Sequence, residues 1–127
     1  MEKPQLPKDL CKQVLELDES IRFAGVARLG NIIMAEYREG LNPLLSKRES
    51  EIYVVQTAIR QDTRRTLEDK LGRIIYTVTL YEKIKRGTIP LSDDHILMVS
   101  FDIGADHESI ILNEILPLIK KHGLLES

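Results

Sequence analysis

Tryptophan is absent from this 127-residue chain, cysteine occurs once and aromatic residues make up 5% of it. The lone Cys11 rules out an intramolecular disulfide, so the fold must rest on its apolar core, and a reducing, cytoplasmic location is the expectation. Apolar runs stay short, as at Ile96-Leu97-Met98-Val99, far below the ~20 residues that a membrane-spanning helix needs. Met1-Glu2-Lys3-Pro4 has no apolar stretch behind it, so no secretory signal is expected. Neither charge dominates: 18 basic and 20 acidic residues give a net charge of −2, and without a basic excess nucleic acid is not an expected partner. The seven glycines never stand two apart and never precede a lysine. That excludes the glycine-rich loops that cradle dinucleotides and nucleoside triphosphates, and no cofactor is expected.

What is present describes a globular domain. Apolar residues reach 43% and charged residues 30%, a balance unlike that of disordered chains. At this length roughly two thirds of the unfolded chain's surface is buried on folding. Residues 1–7, with two prolines, read as a loose lead-in, 8–123 as one domain and 124–127 as a tail.

The apolar spacing of Leu10, Val14 and Leu17 predicts a helix over 8–19. Arg22 to Leu29 and Ile32 to Tyr37 read as strands, and Gly30-Asn31 between them as a hairpin turn. Ser46-Lys47-Arg48-Glu49 matches a capping box, opening a long helix to about Leu71 with Gly72 behind it. Its apolar stripe runs Ile52, Val55, Ile59, Thr66, Leu67 and Leu71, widened by Val54 and Ala58 in the first half, which is expected to face the core. The more polar half from Arg60 to Lys70 is expected to project past the core or meet a partner. Three strands follow at 74–82, 88–91 and 95–103, with turns at 83–87 and 92–94 and Pro90 near a strand end. Asp106 caps a last helix to about His122, which Pro117 kinks or restarts.

The order is therefore α-β-β-α-β-β-β-α, an α+β chain. Strands joined by tight turns are antiparallel. Ile32-Ile33-Met34, Ile74-Ile75-Tyr76 and Ile96-Leu97-Met98-Val99 are apolar on successive residues. Successive side chains point to opposite faces, which predicts a five-stranded antiparallel sheet covered by helices on both faces.

That order resembles the roadblock/LC7 fold, a relative of profilin and PAS-type domains. Locally, Ile21-Arg22-Phe23-Ala24-Gly25-Val26, then Tyr37-Arg38-Glu39-Gly40, a long helix and an Ile-Leu-Met-Val-Ser strand resemble a family of small archaeal proteins associated with ammonia-oxidising archaea. The likeness covers roughly residues 10–120 and carries no activity with it. The fold resemblance implies a non-enzymatic module, often dimeric, that binds small GTPases or other regulators.

The residues with chemical potential do not converge. His107-Glu108-Ser109-Ile110-Ile111 begins like a zinc-protease helix but has isoleucine where the second histidine must stand. Asp93, Asp94 and His95 precede the last strand and Asp102, Asp106 and His107 follow it. The seven strand steps from His95 to Asp102 separate the groups by roughly 23 Å, and each group alone reads as turn chemistry. Cys11 falls on an apolar helix face, where a free thiol behaves as a small hydrophobe. No catalytic or metal-binding residue is expected.

Three surfaces remain. Arg60, Arg64, Arg65 and Glu68 on the long helix form a candidate protein-docking face, with Arg64–Glu68 and Arg65–Asp69 spaced to pair across a helical turn. Lys83, Lys85 and Arg86 are the other basic concentration, placed in a turn. Ile74, Tyr76, Val78 and Leu80 form a candidate edge strand for homodimerisation, because an unpaired edge invites a second copy. Arg22, Gly25 and Arg38 are candidates for a pocket rim, since Ala24, Gly25 and Ala27 either admit a close helix or leave a cavity. The reading is a homodimeric regulatory module acting on a protein partner; a small-molecule sensor with a pocket between the sheet and the long helix is the alternative.

Overall fold

In the computed structural model, which describes residues 6–125, the chain runs α1 (Leu10–Leu15), β1 (Ile21–Arg28), β2 (Asn31–Tyr37), α2 (Lys47–Arg65), α3 (Glu68–Leu71), β3 (Thr77–Leu80), β4 (Ile84–Pro90), β5 (His95–Asp102) and α4 (His107–Ile110). A π-helical turn at Ile111–Ile115 leads into α5 (Leu116–Lys121). The five strands form one antiparallel sheet in the order β2-β1-β5-β4-β3. The expected α+β order and the helix-covered antiparallel sheet are what the chain adopts. Residues 1–5 of the expected lead-in lie outside the described residues, as do 126 and 127. Leu6 and Leu125 pack against the core, and Leu124, expected in a tail, is buried within it.

Central β5 shows why successive apolar residues signal a doubly covered sheet. Every position from Ile96 to Phe101 is buried. Leu97, Val99 and Phe101 join Leu10, Val14, Ala24, Val26, Ile111, Ile115 and Ile119 beneath the terminal helices. On the other face, Ile96 and Met98 meet Phe23, Ala27 and Val54 of α2 in a smaller cluster. The same inference fails for the other two runs. Ile32 and Ile33 are exposed on edge strand β2, and Ile74-Ile75-Tyr76 precedes the ladder of β3.

Several boundaries differ from expectation for local reasons. α1 stops at Leu15 because Asp18 accepts from both the N–H and the hydroxyl of Ser20, at 2.9 and 2.6 Å, turning the chain into β1. The hairpin turns at Leu29-Gly30, both at positive φ (50° and 85°), one residue earlier than Gly30-Asn31. The long helix ends at Arg65, where Leu67 N–H bonds Arg64 C=O three residues back, and α3 restarts after it. β4 is longer than expected and takes in Lys85, Arg86 and Gly87. Lys85 Nζ reaches Ala105 C=O at 2.7 Å and Arg86 Nε reaches Ser100 Oγ at 3.0 Å. The Phe101 ring fills the space above Gly87. Pro90 closes β4 as its last residue, and Pro117 sits in the first turn of α5, with the helix widening to π before it instead of breaking.

Two expected caps are present. Asp106 accepts from Ser109 N–H at 3.2 Å. Ser46 and Glu49 form a reciprocal capping box, with bonds of 3.1 and 2.9 Å. The Ser46 bonds hold the Glu49 carboxyl below its usual range. Ser46→Ala is expected to cost about 1 kcal/mol in a urea melt; no loss would mean that α2 is held by other contacts.

Candidate functional site

The face that α2 turns toward the sheet is the polar one. Val54, Thr57 and Gln61 are buried, while Ile52, Val55 and Ile59 are 48%, 49% and 61% exposed. The two triplets share one spacing but are offset by two residues, about 200° around the helix, so they occupy opposite sides. The expected core-facing stripe therefore points outward, and so do Leu67 and Leu71. On the inner side Thr57 Oγ1 bonds back to Tyr53 C=O at 2.8 Å.

The four residues of the expected docking face do not act as one row. Arg60 and Arg64 are exposed, Arg65 is half-buried, and Arg60 bends back over the Tyr53 ring with a 3.3 Å bond to Thr57 Oγ1. Glu68 lies beyond the helix break and accepts from Ile74 N–H at 2.9 Å. The interruption at Thr66-Leu67 takes Arg64 and Glu68 out of the continuous helix that their i,i+4 pairing assumed.

β3 is an outer strand, bonded to β4 on one side only. Of its expected residues, Val78 and Leu80 are in the ladder, and Ile74 and Tyr76 lead into it. Tyr76 and Val78 pack partly against the main core, whereas Leu80 and nearby Ile75 are exposed.

The pocket-rim residues separate. A methyl on Gly25 would lie 2.7 Å from Phe23 Cζ, so the Phe23 ring takes that space and no cavity opens there. Arg38 is a clamp: its guanidinium bonds the C=O groups of Ile21, Leu15 and Asp18 at 2.7, 2.6 and 2.8 Å. Arg22 pairs with Asp102 at 2.9 Å, and it alone of the three lines a cleft.

That cleft encloses about 460 Å³ between the sheet and the first turns of α2. Its floor comes from strand register. Tyr37, Phe23, Ser100 and Arg86 are successive cross-strand partners over β2, β1, β5 and β4, and all border the cleft. The Phe23 and Tyr37 rings lie 4.7 Å apart, centre to centre. Tyr53 forms one wall beneath the Arg86 guanidinium, 4.2 Å away over the ring. The 41–45 loop and the β3–β4 turn, with Tyr81 and Lys83, form the others. Apart from Arg22, sequence reasoning missed these residues as a site, because only register brings them together.

Among the described residues no three His, Cys, Asp or Glu side chains are placed to hold one metal ion. Ile111, at the second-histidine position, is fully buried, and His107 is half-buried. Asp93 and Asp94 both adopt left-handed backbone in the β4–β5 turn. Cys11 is 2% exposed, and burial first, then the charge of Glu36, pushes its thiol up to about 11. Its neutral form is thus favoured in the folded state. The stability this contributes is whole below the unfolded pKa near 9 and is lost as pH rises toward 11. Cys11→Ala is expected to flatten the fall in stability over that window relative to the parent chain, and an unchanged slope would show that Cys11 is not its source.

At the level of sequence, no family model and no curated protein matches this chain. Solved structures do match. A roadblock/LC7 domain from Streptomyces avermitilis superposes with a TM-score of 0.71 at 12% identity, covering 92% of this chain and 94% of that one. MglB from Myxococcus xanthus gives 0.65 at 14% identity, over 91% and 86%. An MglB with tetrameric arrangement gives 0.64 at 18% identity, over 91% and 77%. The chain has the roadblock/LC7 fold.

Proposed function

We propose that this chain is a non-enzymatic interaction module that forms a homodimer through the outer face of α2 and the edge of β3, and that the dimer binds a protein regulator. The outward stripe of Ile52, Val55 and Ile59 carries this reading. A helix whose apolar side faces water while Thr57 and Gln61 line the inside makes physical sense when that side is covered. Leu67, Leu71, Ile75 and Leu80 are exposed as well, at α3 and around β3, and a partner reaching from α2 to the β3 edge would cover them.

A second copy is the favoured cover. One long helix with an apolar face suits isologous packing about a two-fold axis, and an outer strand with unpaired backbone groups supplies a self-complementary edge. The tetrameric arrangement of one structural neighbour supports self-association. Exposed Arg60 and Arg64, with Arg65 and Glu68 near the end of α2, flank the stripe with charge that would select a partner. The roadblock fold favours a small-GTPase-type regulator as that partner, and a cytoplasmic setting accords with the lone thiol.

Among the described residues no helix is long and apolar enough to cross a membrane. The test is the solution mass at micromolar concentration: twice the 14.5 kDa of one chain is expected, and one chain's mass would end the dimer reading.

A further inference from the structure

The cleft has a composition that a packing defect would not have. In a chain with two phenylalanines and four tyrosines, Phe23, Tyr37, Tyr53 and Tyr81 all border this one space. Its volume of about 460 Å³ lies in the range of sites that enclose small molecules, which combine apolar walls with a few placed polar groups.

The charge at the walls is selective. Arg22 is matched by Asp102 at 2.9 Å, which leaves Lys83 and Arg86 against Glu82 among the lining residues. That residue set leaves about one uncompensated positive charge. Arg86 is held by its Nε bond to Ser100 Oγ and by the Tyr53 ring beneath it. No acceptor among the described residues bonds its terminal nitrogens. A guanidinium fixed in this way is a preformed carboxylate receptor, with its rotamer entropy already spent.

We propose that this cleft binds a small planar aromatic carboxylate, its ring among the aromatic side chains and its single negative charge on Arg86. One charge is favoured over a polyphosphate, because no glycine-rich run of backbone N–H groups borders the cleft and the cationic excess is small. The proposal goes beyond the dimer reading and does not depend on it, since every lining residue belongs to one chain.

Indole-3-acetate is the probe, titrated into the isotope-labelled full chain and followed by amide NMR, with indole and acetate titrated separately. Saturable shifts centred on Phe23, Tyr53, Tyr81, Arg86 and Ser100 are expected, with a dissociation constant of about a millimolar or tighter. Indole should bind at least about tenfold more weakly, and Arg86→Gln should reduce the difference between the two by a similar factor. Should Arg86→Gln fail to fold, the comparison of indole with indole-3-acetate on the parent chain decides by itself. Absence of saturation by about 10 mM, shifts confined to the Ile52–Val55–Ile59 stripe, or equal binding of the charged and neutral ligands would each overturn the proposal. So would a folded Arg86→Gln chain that binds as the parent does. These shifts are read on monomer or dimer alike, so this failure is distinct from that of the dimer.

Discussion

Ile59→Glu is expected to convert the proposed dimer to a folded monomer. Ile59 lies in the outer stripe of α2 and away from both clusters of buried residues, so the fold of one chain loses almost nothing when it changes. An isologous interface places the substitution twice. Each copy forfeits about 2 kcal/mol of apolar burial and sets a carboxylate against its symmetry mate, so dimerisation should weaken by at least a thousandfold or so. Sedimentation velocity at micromolar concentration reads the change directly, with circular dichroism to confirm that the helices remain. Lys12→Glu, at an exposed position of otherwise mostly buried α1, adds negative charge away from the stripe, two units against the one of Ile59→Glu, and should leave the mass alone. If Ile59→Glu keeps the parent mass, α2 is not the interface. If it unfolds the chain, the outer stripe is part of the monomer core and the inversion of α2 has been misread.

That inversion marks where sequence reasoning ran out. The element order, the capping box at Ser46 and the doubly buried strand at Ile96–Val99 were all legible, because each depends on contacts close in sequence or on strand periodicity. A helical stripe is legible too, but periodicity gives a face and not a direction. Nothing in the spacing of Ile52, Val55 and Ile59 says whether the sheet or something else lies beneath them. The short core under α2, built from Phe23, Ala27, Val54, Ile96 and Met98, needs one aliphatic residue from the helix, and Val54 supplies it.

A pocket between the sheet and the long helix was an expected alternative, but the residues that line the cleft were illegible for a different reason. Tyr37, Phe23, Ser100 and Arg86 come from four strands and meet through register, which a one-residue slip would destroy. The bulge between Val26 and Ala27 already moves the β1–β2 register. Arg86 was further hidden because Lys83 to Gly87 looks like a turn by composition. Gly25 and Ala27 share the cleft's side of the sheet with Phe23, whereas Ala24 packs in the core on the other side. The Phe23 ring covers Gly25, and the space opens at Arg22 and Phe23, at the start of the strand.

Arg38→Met should lower the stability of the fold by about 3 kcal/mol or more, a large share of a typical domain's total. Arg38 follows β2 directly, and its backbone N–H bonds Arg22 C=O at 2.9 Å. Its guanidinium holds three further carbonyls, from the end of α1, the turn at Asp18 and the first residue of β1. Methionine retains much of the apolar stem and leaves all three acceptors without their charged donor. The charge of Arg38 also adds to the Ser20 bonds that hold the Asp18 carboxyl below its usual range. Arg38→Lys should recover little, because one ammonium cannot reproduce the planar fork. The contrast is Arg22→Met, which breaks an ion pair whose Asp102 side chain is half exposed and should cost under about 1 kcal/mol. Urea unfolding of the three variants at one protein concentration reads the order. Because α1 carries Cys11 in its buried face, loosening the clamp should also speed thiol labelling of Arg38→Met and leave that of Arg22→Met unchanged. Equal stability of the two methionine variants would show that water replaces the Arg38 donors without cost, and that the clamp follows from the fold instead of holding it.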